Sequence, residues 1–264
     1  MGQFKNNLEA SMYNIGFGGV IGVFGAVLNK KPNEKLGKVF LKGFSQGAAG
    51  GFLLFQSKKL VSKFSSTKNY TYVWPSKLIN AAGISIIENA AANRKFLEQW
   101  HINIGFNRIN FYTRNKFKIS YRIMPFALST TAYAFTQGKL SLNETVKTGS
   151  FIFITNKIKT KSYDFSIFGA TYSNTIIISE EKSITRQEVL AHELIHVYQY
   201  ENFSGVNLFF KKSIDKIRLN KKWIKAYQKI FHTDFNYLYF QGVYELYSGY
   251  ETNFFENEAY WYQN

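Results

Sequence analysis

The stretch that decides the fold of this chain is a short amphipathic segment at the start of its last third. Residues 184–201 read ITRQEVLAHELIHVYQYE. Thr185 is followed three positions later by Glu188, which is the spacing of a capping box, so a helix is predicted over 185–201. Apolar residues at helical spacing indicate that this helix is buried: Val189, Leu190, Leu194, Ile195 and Val197.

Two histidines and a glutamate on this helix point to metal chemistry. His192 and His196 lie one turn apart, so both imidazoles share a face and can reach one ion. Glu193 stands beside His192; in a His-Glu-x-x-His arrangement zinc acidifies a water molecule and the glutamate accepts its proton. The chain has no cysteine, so a tightly bound Zn²⁺ must have nitrogen and oxygen ligands. The alternative is a pair of core or surface histidines without a ligand role.

The residues AHELIHV at 191–197 resemble the active-site helix of the zincin metallopeptidases. The resemblance covers about residues 170–264. It implies that His192 and His196 are zinc ligands, that Glu193 is the general base, and that 170–179 is the edge strand that pairs with substrate. The glycine and third histidine of the metzincins are absent at their usual spacing. The resemblance therefore implies a downstream glutamate as the third ligand, as in the gluzincin branch.

The third ligand is predicted from a second short motif. The residues FENEA at 255–259 resemble the Asn-Glu-Ala context of the third ligand in some gluzincins, which selects Glu258. Glu251 and Glu245 are alternatives, and Glu256 is expected to face another side of the same helix. These glutamates could also belong to an ordinary C-terminal helix with exposed carboxylates.

A peptidase also needs a donor that stabilises the oxyanion of the tetrahedral intermediate. The candidates are His232, Tyr260 and Tyr198, and nothing in the sequence selects among them. His101 lies in the strand region, where a structural role is expected.

Two apolar segments at 12–28 and 39–55 precede this part of the chain. Each has about 17 residues, at the short end of what spans a bilayer. Glycines recur in both at four-residue steps, which lets two helix backbones approach closely in lipid: Gly18, Gly22, Gly43, Gly47 and Gly51. The prediction is a helical hairpin over 1–64, inserted in or apposed to a membrane; the alternative is Gly-rich strands or tightly packed soluble helices. The first residues do not show the pattern of a secretory signal peptide.

The pattern changes from helical over 74–100 to alternating after Trp100, which predicts a mostly antiparallel sheet of five or six strands within 101–179. The strand candidates include 117–123, 133–135, 151–154 and 175–178. The fold class is therefore α+β. The hairpin of residues 1–64 precedes a zincin-like domain over 65–264, whose C-terminal helices cover 206–264.

Charge indicates the partners. The chain has 33 Lys+Arg against 17 Asp+Glu, a net charge of +16, which favours anionic partners. The basic stretch from Lys211 to Lys229 is interrupted by apolar residues, which is typical of a helix on an anionic membrane surface or of a solvated helix face. No nucleic-acid-binding module accompanies the charge, so nucleic acid is not an expected partner.

Together these patterns predict a zinc metallopeptidase associated with a membrane, in the cell envelope, that acts on a peptide or protein substrate. The alternative is a non-catalytic envelope protein whose zincin-like helix keeps a metal only for stability, or none at all. The oligomeric state is not predicted.

Overall fold

The chain folds as an α+β protein, as predicted. The computed structural model describes residues 4–114, 116–156, 158, 168–180, 185–213, 222–247, 249 and 252–263. The described helices are α1 Asn7–Leu28, α2 Leu36–Thr67, α3 Val73–Ala91, α4 Pro125–Gln137, α5 Leu142–Thr148, α6 Arg186–Asn202, α7 Lys222–Ile230, α8 Asn236–Tyr244 and α9 Phe254–Gln263. The strands are β1 Gln99–Ile104, β2 Asn107–Tyr112, β3 Lys118–Ile123, β4 Lys139–Leu140, β5 Phe151–Thr155, β6 Gly169–Tyr172 and β7 Thr175–Ser179. Part of the predicted basic helix, residues 214–221, lies outside the described residues.

Helices α1 and α2 form the predicted hairpin, and their glycines are the points of contact. Gly18 of α1 faces Gly47 and Gly51 of α2, and Gly22 faces Gly43. A Cβ atom added at Gly47 would lie 2.1 Å from the carbonyl oxygen of Gly18, far inside van der Waals contact. Only residues without a side chain permit this approach, which explains the four-residue spacing.

Among the described helices, α1 is the one that is long and apolar enough to cross a membrane. A buried core helix or a signal sequence has the same length and composition. The boundary predicted between residues 64 and 65 falls inside α2, which continues to Thr67. Side chains from α1 and α2 share one hydrophobic core with α6, including Ala10, Phe55 and Val61.

The strands form two sheets instead of the single sheet that was predicted. β1, β2 and β3 make an antiparallel sheet in that order. The second sheet has the order β4-β5-β7-β6, with β5 and β7 parallel and the other pairs antiparallel. The strand predicted at 133–135 is wrong because α4 begins at Pro125, a residue suited to the first turn of a helix, and continues through it.

The helix predicted over 74–100 is shorter than expected. α3 ends at Ala91, and Asn93 two residues later adopts a left-handed backbone with φ of 51°. Asparagine tolerates this conformation better than most residues, and it is a common way to stop a helix. The chain then turns into β1, which explains why the alternating pattern already begins at Gln99.

Helix α6 lies at the centre of the molecule. It begins directly after Thr185, as the capping-box spacing predicts, and every residue from Val189 to Asn202 is buried. The Thr185 side chain makes no capping hydrogen bond to the backbone. Helices α2 and α9 and strands β6 and β7 pack against α6. Its polar residues are therefore enclosed by other elements.

Candidate metal centre

Helix α6 carries His192, Glu193 and His196, and all three side chains are buried. The two Nε2 atoms of the histidines lie 3.1 Å apart. The two oxygens of the Glu256 carboxylate on α9 contact different histidines. Oε2 lies 3.2 Å from His192 Nε2, and Oε1 lies 3.4 Å from His196 Nε2. This group of three side chains could hold a metal ion.

Two glutamines fix the orientation of the imidazoles. His192 Nδ1 lies 3.0 Å from Gln263 Oε1, and His196 Nδ1 lies 2.8 Å from Gln199 Oε1. Because an amide oxygen only accepts, each Nδ1 carries a proton. The two Nε2 atoms, 3.1 Å apart, are then the ring atoms that can hold a cation between them, either a second proton or a metal ion.

The donor set fits zinc in both chemistry and spacing. Zinc accepts imidazole nitrogen and carboxylate oxygen at about 2.0–2.2 Å, so neighbouring ligand atoms of a tetrahedral site lie about 3.3 Å apart. The two Nε2 atoms lie 3.1 Å apart, while the 3.2 and 3.4 Å contacts go to different oxygens of Glu256; one ligand atom from each of the three residues lies within 4.8 Å of the other two. The group supplies three protein ligands among the described residues, which leaves a fourth tetrahedral position.

The electrostatics of the group also favour positive charge. Burial alone would lower the pKa of His196, but the Glu256 carboxylate beside it raises that pKa to about 9. Burial would raise the pKa of Glu256, yet the two histidines hold it well below its ordinary range. The Tyr244 hydroxyl donates to Glu256 Oε1 at 2.5 Å and positions the carboxylate.

Glu193 stands outside this group and faces strand β6. The hydroxyl of Thr171 on β6 lies 2.7 Å from Glu193 Oε2. Gly169 is required for this contact, since a Cβ atom there would lie 2.5 Å from Glu193 Oε1. Burial raises the pKa of Glu193, although the two histidines and Thr171 oppose the shift. A carboxylate with a raised pKa is a better proton acceptor near neutral pH.

The structure replaces Glu258 with Glu256 as the third candidate ligand. Glu258 instead forms a fully buried ion pair with Lys58 of α2 at 2.7 Å, and its other oxygen accepts from Gln199 Nε2 at 2.9 Å. The two glutamates are two positions apart on α9, about 200° around the helix, so they point to different sides of it, and Glu256 is the one that contacts the histidines. Of the two alternatives, Glu245 is exposed and bonded to Gln241, and Glu251 lies outside the described residues.

One of the three predicted oxyanion donors lies at the centre. The ring of Tyr260 packs 4.6 Å from the ring of His192, measured between centroids, and the residue is 42% exposed. Tyr198 is buried, and its hydroxyl contacts Ser76, so this hydrogen bond connects α6 to α3. His232 lies in a separate cavity with Arg108. His101 is buried against Ser85 and Glu88, in keeping with its predicted structural role.

Sequence reasoning missed Glu256, Gln263, Gln199, Tyr244 and Thr171. A signal existed for two of them, because Glu256, Tyr260 and Gln263 recur at the i, i+4, i+7 spacing of one helix face. All three contact the histidines. Comparison with known proteins finds no match of this chain to a family model, to a curated protein or to a solved structure.

Proposed function

We propose that this protein is a membrane-associated zinc metallopeptidase. The observation that carries the proposal is the convergence of His192 Nε2, His196 Nε2 and the Glu256 carboxylate beside a buried glutamate, Glu193. Zinc bound there would acidify a water molecule and polarise the carbonyl of the bond to be cleaved. Three protein ligands with an open fourth position are the pattern of catalytic zinc sites, since structural sites are closed by four.

Glu193 is the residue that moves the proton in this proposal. Its carboxylate accepts a proton from the attacking water and passes it to the nitrogen of the leaving amine. Thr171 holds the carboxylate through Oε2. Tyr260, which packs on His192 and is partly exposed, is the candidate donor to the oxyanion.

Strand β6 is the proposed binding edge for the substrate. Among the described strands it is the outer one of its sheet, paired with β7, and all four of its residues are half-buried. An extended peptide can add to such an edge through main-chain hydrogen bonds. Thr171 of this strand contacts Glu193, the proposed base. A peptide bound along β6 would therefore lie beside the candidate metal centre.

Membrane association is supported by large apolar side chains that α1 and α2 expose. At least two-fifths of each of these residues is accessible: Leu8, Met12, Val20, Phe24, Leu28, Leu36, Phe40, Leu41, Phe44 and Phe52. A surface of this extent is typical of a site that contacts lipid or another protein. The net charge of +16 favours an anionic membrane.

The deep burial of the centre favours one alternative, a non-catalytic envelope protein with a structural metal site. Glu193 is only 5% exposed, so substrate must reach it past β6 or Tyr260. The two functions differ in what they require of Glu193. A peptidase needs its carboxylate for turnover, whereas a structural site needs only the three ligands.

The test is the substitution Glu193→Gln in the zinc-loaded full chain. We expect the rate of hydrolysis of labelled casein and of a quenched fluorogenic peptide library to fall by about 10²- to 10⁴-fold, with zinc content unchanged. Glu188→Gln is the matched control, because Glu188 lies on the same helix in an ion pair with Lys68 whose two side chains are more than a third exposed. No zinc-dependent hydrolysis by the wild type, or an unchanged rate in Glu193→Gln, would contradict the peptidase proposal.

A further inference from the structure

The β1–β3 sheet buries its polar face and exposes its apolar face. Arg108 and Asn110 of β2 and His101 of β1 are at most 4% exposed, although they are polar. On the other face, Ile119 and Tyr121 of β3 are more than half exposed. A soluble sheet normally has the opposite arrangement. The buried polar face therefore requires a ligand or a set of partners that satisfies it.

Described residues satisfy this face only in part. Arg108 and Arg122 are directly opposite each other in the β2–β3 register, and like charges in that position are destabilising. Arg108 donates to Glu88 Oε2 at 2.6 Å and to Asn110 Oδ1 at 3.0 Å. The Nε atom of Arg122 is buried and has no hydrogen-bond partner among the described residues. A third guanidinium, that of Arg94, interacts electrostatically with Glu88 and Glu98.

These groups line a cavity of about 300 Å³ between the sheet, the end of α3 and the segment after α7. Among the described residues that line it, the cations are Arg94, Arg108, Arg122 and Lys211, and the carboxylate is that of Glu88. Burial and the nearby Arg108 hold the pKa of His232, which also lines the cavity, well below its ordinary value. The volume is at the lower limit of ligand pockets, which indicates a small ligand.

We propose that this cavity is an anion-binding site whose ligand carries a phosphate group, supplied either by free phosphate or by a lipid headgroup. A phosphate offers several acceptor oxygens and up to two negative charges, which match converging guanidinium forks. It would lie between Arg108 and Arg122 and remove their repulsion. A purely structural role is met by the pair of Arg108 and Glu88, and it leaves the buried Nε atom of Arg122 without a partner among the described residues. The site shares no residue with the metal centre.

The test is isothermal titration calorimetry of the full chain with inorganic phosphate, in a buffer free of phosphate and sulfate. We expect one saturable site, with an affinity at least about tenfold lower in Arg122→Gln and zinc content unchanged. Arg114→Gln is the matched control, because Arg114 lies in the connection between β2 and β3, has a side chain that is 54% exposed and is paired with Glu98 at 3.4 Å. Its affinity for phosphate is expected to equal that of the wild type.

A second experiment distinguishes free phosphate from a lipid headgroup. It also includes a measurement on the wild type alone, which does not depend on whether the variant folds. Vesicles of phosphatidylcholine with phosphatidic acid are compared with pure phosphatidylcholine vesicles, and phosphate is tested for its effect on the thermal midpoint of the wild type. Binding only to phosphatidic acid vesicles, weakened by Arg122→Gln, would support a lipid headgroup. Absence of binding to both probes, or an affinity that Arg122→Gln leaves unchanged, would overturn the proposal.

Discussion

At the residue scale, the candidate centre depends on which nitrogen of each imidazole carries a proton. Gln199 and Gln263 accept from the Nδ1 atoms, so both Nε2 atoms face the Glu256 carboxylate. Gln199 itself is held by two further bonds, which it donates to the Phe255 carbonyl and to Glu258. Glu258 is paired in turn with Lys58. Glu258, the predicted third ligand, therefore contacts Gln199, and Gln199 contacts His196.

We predict that Gln199→Leu lowers the zinc affinity of the chain by about 10- to 100-fold, because His196 loses the acceptor that sets its tautomer. The measurement is a competition titration with a chromophoric zinc chelator. Gln187→Leu, on the same helix but in its first turn, is expected to keep the wild-type affinity. If both variants bind zinc as the wild type does, Gln199 has no positioning role.

The sequence was sufficient to bring His192, Glu193 and His196 together but not to select the third candidate ligand. His192, Glu193 and His196 belong to one helix, so their relative positions follow from helical geometry alone. The choice between Glu256 and Glu258 depends on the rotation of α9 about its axis. That rotation is set by tertiary packing, including the burial of Phe255, Ala259 and Tyr262 against other elements.

At the element scale, the α1–α2 hairpin shows what local patterns can predict. The four-residue glycine spacing predicted a close helix pair, and the contacts of Gly18, Gly22 and Gly47 confirm it. The strand predicted at 133–135 failed because two alternating aromatic residues fit an exposed helix face as well as a strand. Pro125 was the signal for the helix start.

We predict that Gly47→Ala lowers the thermal midpoint of unfolding by at least about 2 °C. Its Cβ would lie 2.1 Å from the Gly18 carbonyl oxygen, and overpacking of this kind costs about 1–3 kcal/mol. Gly16→Ala is the matched control in the same hairpin, since a Cβ there has nothing within 4 Å. The control is expected to be neutral or stabilising, because alanine favours helix more than glycine does. Equal midpoints for both variants, measured by circular dichroism, would show that the helices are not in close contact.

At the scale of the whole molecule, polar and apolar residues are distributed unusually. The interior holds ion pairs and polar networks, such as Lys58 with Glu258 and Arg108 with Glu88, while large apolar side chains cover α1, α2 and the outer face of β1–β3. Alternation in the sequence predicted that β3 has two unlike faces. It could not show which face is buried, since that depends on the elements packed against the sheet.

We predict that the full chain floats with vesicles of phosphatidylcholine and phosphatidylglycerol in a density gradient. The double substitution Phe24→Asp and Phe40→Asp should reduce the bound fraction several-fold, because it places charge on the exposed apolar surface of α1 and α2. Leu142→Asp with Val146→Asp is the matched control, as both residues are at least 69% exposed but lie on α5. Equal losses in the two variants, or no flotation of the wild type, would rule out this membrane surface.

The measurement that tests the central claim most directly is the zinc content per chain, by mass spectrometry of metals, in folded protein never exposed to chelator. We predict about one zinc per wild-type chain and a loss of most of it in His196→Ala and in Glu256→Gln. Glu245→Gln, which changes an exposed glutamate also considered as a ligand, should retain it. Wild-type protein without zinc, or Glu256→Gln with full zinc content, would contradict the metal centre described above.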